Sequence, residues 1–130
     1  MSNALVEKKF ECFKINIEDK IAHIVLNRPE KMNSMPPSFW SDLPEIINEI
    51  DQDALARVIV ISSTGKHFSA GMDLSVFSNA DSQQKKEKST TDSGRQKGSF
   101  YRNLLKLQET FNCIDNSRIP VLMAIQGGCI

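Results

Sequence analysis

The chain has 130 residues, 40% of them apolar and 25% charged, and its sixteen Lys and Arg balance sixteen Asp and Glu. That length can bury a real core, and zero net charge argues against a general nucleic-acid binder, which carries a basic face. No apolar run reaches membrane-spanning length, and residues 1–10 carry neither an apolar signal core nor an Arg-rich amphipathic pattern. The expectation is a soluble, cytoplasmic protein with no nucleic-acid or membrane partner. Cys12, Cys113 and Cys129 are odd in number and far apart, without zinc spacing. They read as reduced thiols serving as small buried hydrophobes, and no metal site is expected.

Phe13-Lys14-Ile15-Asn16-Ile17 alternates with period two, and Ile21 to Leu26 is a second apolar run. With Glu18-Asp19-Lys20 as the turn, they predict a hairpin. Asn27 to Lys31 breaks the pattern, and Ser34 with Pro36-Pro37 opens a helix. Phe39, Leu43, Ile46 and Ile50 share one face of that helix, widened by Trp40 and Ile47. Pro44 predicts a kink or a later start, because it removes a hydrogen bond to the Trp40 carbonyl. Val58 to Ile61 is β-branched throughout and reads as a strand buried on both faces. Residues 78–98 are polar and read as a mobile loop. Phe100, Leu104, Leu107, Phe111 and Ile114 predict an amphipathic helix, and Val121 to Ile125, between Pro120 and a Gly pair, a buried strand. The alternation of strands and helices predicts an α/β class.

Two segments carry candidate chemistry. Ser69-Ala70-Gly71 follows a strand and removes side-chain bulk. These residues fit a tight turn, and they equally fit a loop that turns backbone N–H groups toward a ligand. Gln126-Gly127-Gly128-Cys129-Ile130 also follows a strand. If the two strands are neighbours in a parallel sheet, both loops lie at the carboxyl ends, where such sheets bind ligands. His23 reads as structural and His67 as a solvated loop residue. Asp51, Asp53 and Asp73 show no pairing that marks a general base.

Leu26-Asn27-Arg28-Pro29-Glu30-Lys31-Met32-Asn33-Ser34-Met35 resembles a segment of the enoyl-CoA hydratase/isomerase (crotonase) superfamily. So do Phe68-Ser69-Ala70-Gly71-Met72-Asp73-Leu74 and Ile119 to Gly127, in the same order. The likeness covers residues 11–130 and corresponds to the N-terminal half of that family's domain. Leu107 to Asn112, Phe39-Trp40 and Gln126 to Ile130 are most similar to the dienoyl-CoA isomerase branch.

The resemblance implies a spiral of strand–strand–helix turns, assembled as homotrimers or hexamers. It implies an acyl-CoA thioester as ligand, with coenzyme A entering as part of the substrate and no separate cofactor. The activity it implies is double-bond isomerisation or hydration through a stabilised enolate. Met72 would be the catalytic residue through its backbone N–H, one of two donors to the thioester oxygen. Ala70, Gly71, Met72, Asp73 and Leu74 would line the substrate, and Lys31 and Met32 the coenzyme A path. The second donor and the acid–base residues would lie beyond residue 130. The isolated chain is therefore expected to be inactive, an incomplete fragment; a non-catalytic acyl-CoA-binding or assembly role and an enoyl-CoA hydratase are the alternatives.

Overall fold

The computed structural model describes residues 4–78 and 93–130. A short helix, α1 (Ala4–Glu7), precedes the hairpin β1 (Phe13–Glu18) and β2 (Ile21–Leu26). Asp19 and Lys20 join the strands with φ of 50° and 63°. Two successive left-handed residues make the turn whose twist suits a two-residue hairpin. Helix α2 (Pro37–Gln52) crosses to β3 (Val58–Ser63), and α3 (Ser93–Asn116) crosses to β4 (Val121–Met123). The sheet order is β1-β2-β3-β4; the first pair is antiparallel and the other two are parallel. The expected α/β class is thus observed, with the carboxyl ends of β2, β3 and β4 at one edge of the sheet. Among the described residues no helix is long and apolar enough to cross a membrane.

The core lies between one sheet face and α2. Ala22, Ile24, Leu26, Ile59 and Ile61 meet Phe39, Leu43, Ile46, Ile47 and Ile50, all buried. Each aliphatic side chain buried there contributes about 1.5–3 kcal/mol. Phe13 and Phe39 stack at 5.2 Å, and Trp40 bridges Phe39 to Phe111 of α3 at 5.7 and 5.4 Å.

Helix α2 begins at Pro37 and runs through Pro44 as one element, so the later start expected from that proline does not occur. The carbonyl that Pro44 orphans is satisfied from outside: the buried Thr110 hydroxyl donates to the Trp40 carbonyl at 2.9 Å. Thr110→Val keeps the volume and removes the donor. It should cost about 1–3 kcal/mol in urea unfolding, as expected for a buried carbonyl left unpaired. In a Pro44→Ala background residue 44 regains its N–H, and the same substitution should cost markedly less. Equal costs in both backgrounds would refute the pairing.

Several expectations are corrected. Residues 93–98, read as part of the loop, form the first turns of α3; residues 79–92 of that loop lie outside the described residues. The buried positions on α3 are Thr110 and Cys113, with Phe100 64% exposed. Of the expected stripe, Phe111 meets Trp40 and Ile114 packs on the core, so only its N-terminal half fails to face the body. In β3 the alternate residues Val58 and Val60 are only half-buried, because helices cover one face of the sheet. Strand β4 is exposed rather than buried, since it pairs with β3 on one side at the sheet edge. Cys12 and Cys113 are buried as expected, whereas Cys129 is exposed.

Candidate active site

Three loops leave the carboxyl ends of the parallel strands, and backbone hydrogen bonds tie them together. The loop after β2 contains a 3₁₀ turn (Pro29–Lys31) followed by Met32 and Asn33, with φ of 51° and 52°. Two consecutive left-handed residues reverse the chain, and asparagine tolerates that conformation better than most. The reversal sets Met32 to Met35 alongside the loop after β3. Ala70 N–H donates to the Met32 carbonyl at 2.9 Å, Met35 N–H to Gly71 at 2.8 Å, and Asp73 N–H to Met35 at 3.0 Å.

Asn33 joins the loops and is 2% exposed. Its Oδ1 accepts from the Arg28 N–H at 2.8 Å, and its Nδ2 donates to the Thr64 and His67 carbonyls at 2.7 and 3.2 Å. Its own carbonyl accepts from the buried Ser69 hydroxyl at 2.9 Å, and Ser69 Oγ in turn accepts from Gly71 N–H at 3.1 Å. Sequence reasoning assigned no role to Asn33 and read Ser69 only as a small residue, not as a hydrogen-bonding one. A small polar residue that tolerates positive φ, set in a Pro-containing turn, was the available signal for Asn33.

The loop after β4 runs parallel to the loop after β3, as expected for neighbouring strands. Phe68 N–H is shared between the Gln126 and Gly128 carbonyls, both at 2.9 Å, and Ile130 N–H donates to Ser69 at 3.1 Å. Gln126 Nε2 donates to Ser63 Oγ at 2.9 Å. His67 is not a solvated loop residue: it is half-buried, and its Nδ1 accepts from Gly128 N–H at 2.9 Å. His23 stays structural, pairing through Nε2 with Ser62 Oγ at 2.6 Å across β2 and β3. A Cβ on Gly71, which has φ of 86°, would meet Ile130 at 3.4 Å.

These bonds leave the Met72 amide over. Among the described residues, the N–H groups of Ala70, Gly71 and Asp73 all have acceptors, and that of Met72 has none. The parallel bridge between Met35 and Met72 explains this. It engages the residues flanking Met72 and turns its own N–H the other way. Lys31 and Met32 are exposed on the adjoining turn, and Leu74 is 79% exposed. An apolar cavity of about 160 Å³ opens beside the loops, with Leu26, Met35, Phe68, Ser69 and Ile130 in its wall.

Asp73 is committed to the frame. Its carboxylate accepts from Ser75 N–H at 2.9 Å and from Ser34 Oγ at 2.8 Å, with Arg28 Nη1 at 3.7 Å. The Ser75 amide first, then the Ser75 and Ser34 hydroxyls, hold its pKa down to about 2, and Arg28 adds a smaller pull. A carboxyl depressed in the folded state stabilises it above the ordinary carboxylate range, and that contribution disappears as pH falls through the folded value. The loop should therefore loosen between about pH 4 and about pH 2. Ser34→Ala should move the carboxyl titration upward, read by ¹³C-detected NMR of Asp73. Among the described residues no group of three His, Cys, Asp or Glu side chains could hold a metal ion.

The strand-end loops of this parallel-edged α/β layer thus present an unpaired backbone donor, and Met35, Phe68 and Ser69 of the same loops line the apolar cavity. The Enoyl-CoA hydratase/isomerase family profile matches residues 16–130, and the chain belongs to that family.

Over 125 residues the chain is 36% identical to the mitochondrial Delta(3,5)-Delta(2,4)-dienoyl-CoA isomerase of Homo sapiens, covering 95% of this chain and 37% of that protein. Over 123 residues it is 32% identical to the peroxisomal Delta(3,5)-Delta(2,4)-dienoyl-CoA isomerase of Arabidopsis thaliana, covering 95% and 43%. A probable enoyl-CoA hydratase from Mycobacterium thermoresistibile superposes with a TM-score of 0.67 at 28% identity, over 89% of this chain and 41% of that one. An enoyl-CoA hydratase/isomerase from Marinobacter aquaeolei gives 0.73 at 24% identity, over 90% and 42%, and shares the fold. The chain spans about two fifths of the length of these curated relatives.

Proposed function

We propose that this chain forms one wall of an acyl-CoA thioester site and supplies one of its oxyanion donors. The observation that carries the reading is the unpaired N–H of Met72, flanked by the amides of Gly71 and Asp73, which are both engaged. A donor already fixed in direction costs no reorganisation when charge develops on the thioester oxygen, and it stabilises the enolate formed when a neighbouring carbon loses its proton. Ala70, Gly71, Asp73 and Leu74 carry that donor, the apolar cavity receives part of the acyl chain, and Lys31 and Met32 flank the coenzyme A portion. Coenzyme A comes with the substrate, and no other cofactor takes part. Likeness to dienoyl-CoA isomerases favours double-bond isomerisation over hydration as the family activity. Assembly as a homotrimer or hexamer belongs to the same reading.

Asp73, the carboxylate next to the donor, is a poor base, because its proton affinity is lowered to about 2 and its oxygens are occupied. The chain by itself is therefore proposed to bind thioesters without turning them over.

Hexanoyl-CoA with a ¹³C-labelled thioester carbonyl tests this. Binding to the chain should shift the carbonyl stretch to lower frequency. Met72→Pro should abolish the shift, and since that N–H bonds to nothing, proline sacrifices no internal hydrogen bond. Met72→Ala, which keeps the amide, should preserve it. In an enzyme that completes the reaction, the proline variant should raise the barrier by about 2.7–4 kcal/mol. A full shift with Met72→Pro would remove the assignment. Turnover of dienoyl-CoA or enoyl-CoA by the chain alone would overturn the binding-only reading.

A further inference from the structure

His67 sits where the two converging loops meet, and its bonding is asymmetric. Its carbonyl accepts from Asn33 Nδ2 at 3.2 Å and from Ser63 Oγ at 3.3 Å, which pins its backbone to the frame. Its ring reaches the opposite way, with Nδ1 accepting from Gly128 N–H at 2.9 Å. A backbone amide can only donate, so Nδ1 carries no proton and the ring is the neutral tautomer protonated at Nε2.

The glycines opposite are crowded against the same residue. A Cβ on Gly127 would overlap the Lys66 carbonyl oxygen and come within 3.0 Å of His67 Nδ1; one on Gly128 would lie 3.1 Å from it. Beyond that turn, Gly128 accepts from Phe68 N–H, and Ile130 reaches Ser69 and Gly71. The ring is thus the side-chain tie on a turn otherwise held by backbone and by Gln126.

We propose that His67 is a positioning residue: its neutral imidazole clamps the Gly127–Gly128 turn and so holds residues 126–130 in register with the Gly71–Met72 donor. The inference rests on the thioester-site reading for its consequence, though not for its geometry. The clamp needs an acceptor at Nδ1. A protonated ring has a donor there instead, and donor would face donor. The segments packed around His67 bring Asn33, Ser63, Gln126 and two glycines, all uncharged. Lys66, the preceding residue, is exposed, and Arg28, Glu30 and Lys31 lie on the turn that precedes Asn33.

The test uses amide hydrogen exchange and hexanoyl-CoA affinity in the 130-residue chain and two variants. His67→Asn places a permanent acceptor at the same branch of the side chain; His67→Leu has none. At about pH 7.5, wild type and His67→Asn should protect the Gly128 amide alike, and His67→Leu should lose about 5- to 10-fold in protection, as one hydrogen bond implies. Hexanoyl-CoA affinity should follow the same pattern. Equal protection of Gly128 in all three proteins would overturn the clamp. Exchange behaving as stated while no protein binds hexanoyl-CoA would leave the clamp standing and remove the thioester-site reading instead.

Discussion

Replacing Asn33 by alanine is expected to cost about 3–5 kcal/mol of folding stability, a large share of the roughly 5–15 kcal/mol available to a domain of this kind. The side chain makes three hydrogen bonds that tie the Arg28 amide to the Thr64 and His67 carbonyls, and the residue is 2% exposed. Alanine leaves those groups without the partner and must also hold a φ of 52°, where a Cβ-bearing residue without a local hydrogen bond is strained. Asn33→Asp should be worse. It is close to isosteric, but it turns the Nδ2 donor into an acceptor aimed at two carbonyl oxygens and buries a charge. Asn33→Gly separates the two contributions, because it relieves the backbone and keeps the hydrogen-bond loss. It should recover about 1 kcal/mol relative to alanine. Urea unfolding of the three variants measures all of this, and Asn33→Asp with wild-type stability would show that the three-loop junction is not held by this side chain.

The second large effect is expected at Gly127. Its φ of 59° and the overlap that any Cβ would have with the Lys66 carbonyl oxygen act together. The obstruction is backbone, so it cannot rotate away. Gly127→Ala should cost about 3 kcal/mol or more, combining left-handed strain with forced displacement of the turn. The damage should spread along the turn's own bonds, from Phe68 and Gly128 to Ile130 over Gly71. Gly128→Ala is the internal control. Its Cβ would meet the His67 ring, a side chain that can give, and no positive φ adds to the cost. It should lose about 1 kcal/mol. Thermal unfolding with amide exchange at Ser69 and Ile130 reads both variants; similar losses in the two would contradict the geometry.

Much of the fold could be read from periodicity. The alternation in Phe13 to Ile17 and the run Ile21 to Leu26 announced the hairpin, and the spacing of Phe39, Leu43, Ile46 and Ile50 announced the buried face of α2. Local pattern fails where burial depends on what a surface meets. The apolar run Val121 to Ile125 looks internal by composition, yet Leu122 and Ile125 are each 57% exposed at the sheet edge. The stripe Phe100, Leu104, Leu107, Phe111 and Ile114 suggested a face on α3. The helix seats Thr110 and Cys113 deepest, keeps Phe111 on Trp40 and Ile114 against the core, and leaves Phe100 and Leu104 exposed; Thr110 also answers the Trp40 carbonyl that Pro44 vacates. A carbonyl vacated by a proline is visible in a sequence, but the residue 70 positions away that answers it is not.

The candidate site divides in the same way. The sequence alone pointed to Ser69-Ala70-Gly71 and to Gly127-Gly128 as strand-end loops, because small residues after apolar runs are a local property. Resemblance of three ordered segments assigned the family. What only the tertiary structure decided is which atoms are left over. Met72 N–H is free to act because Met35 engages its neighbours, Asp73 is removed from acid–base work by Ser75, Ser34 and Arg28, and His67 is turned from a loop residue into a tie on Gly128. Residue types and their spacing follow from the chain itself. Whether an amide, a carboxylate or an imidazole is spent or spare depends on partners contributed by other loops, and folding alone brings those together.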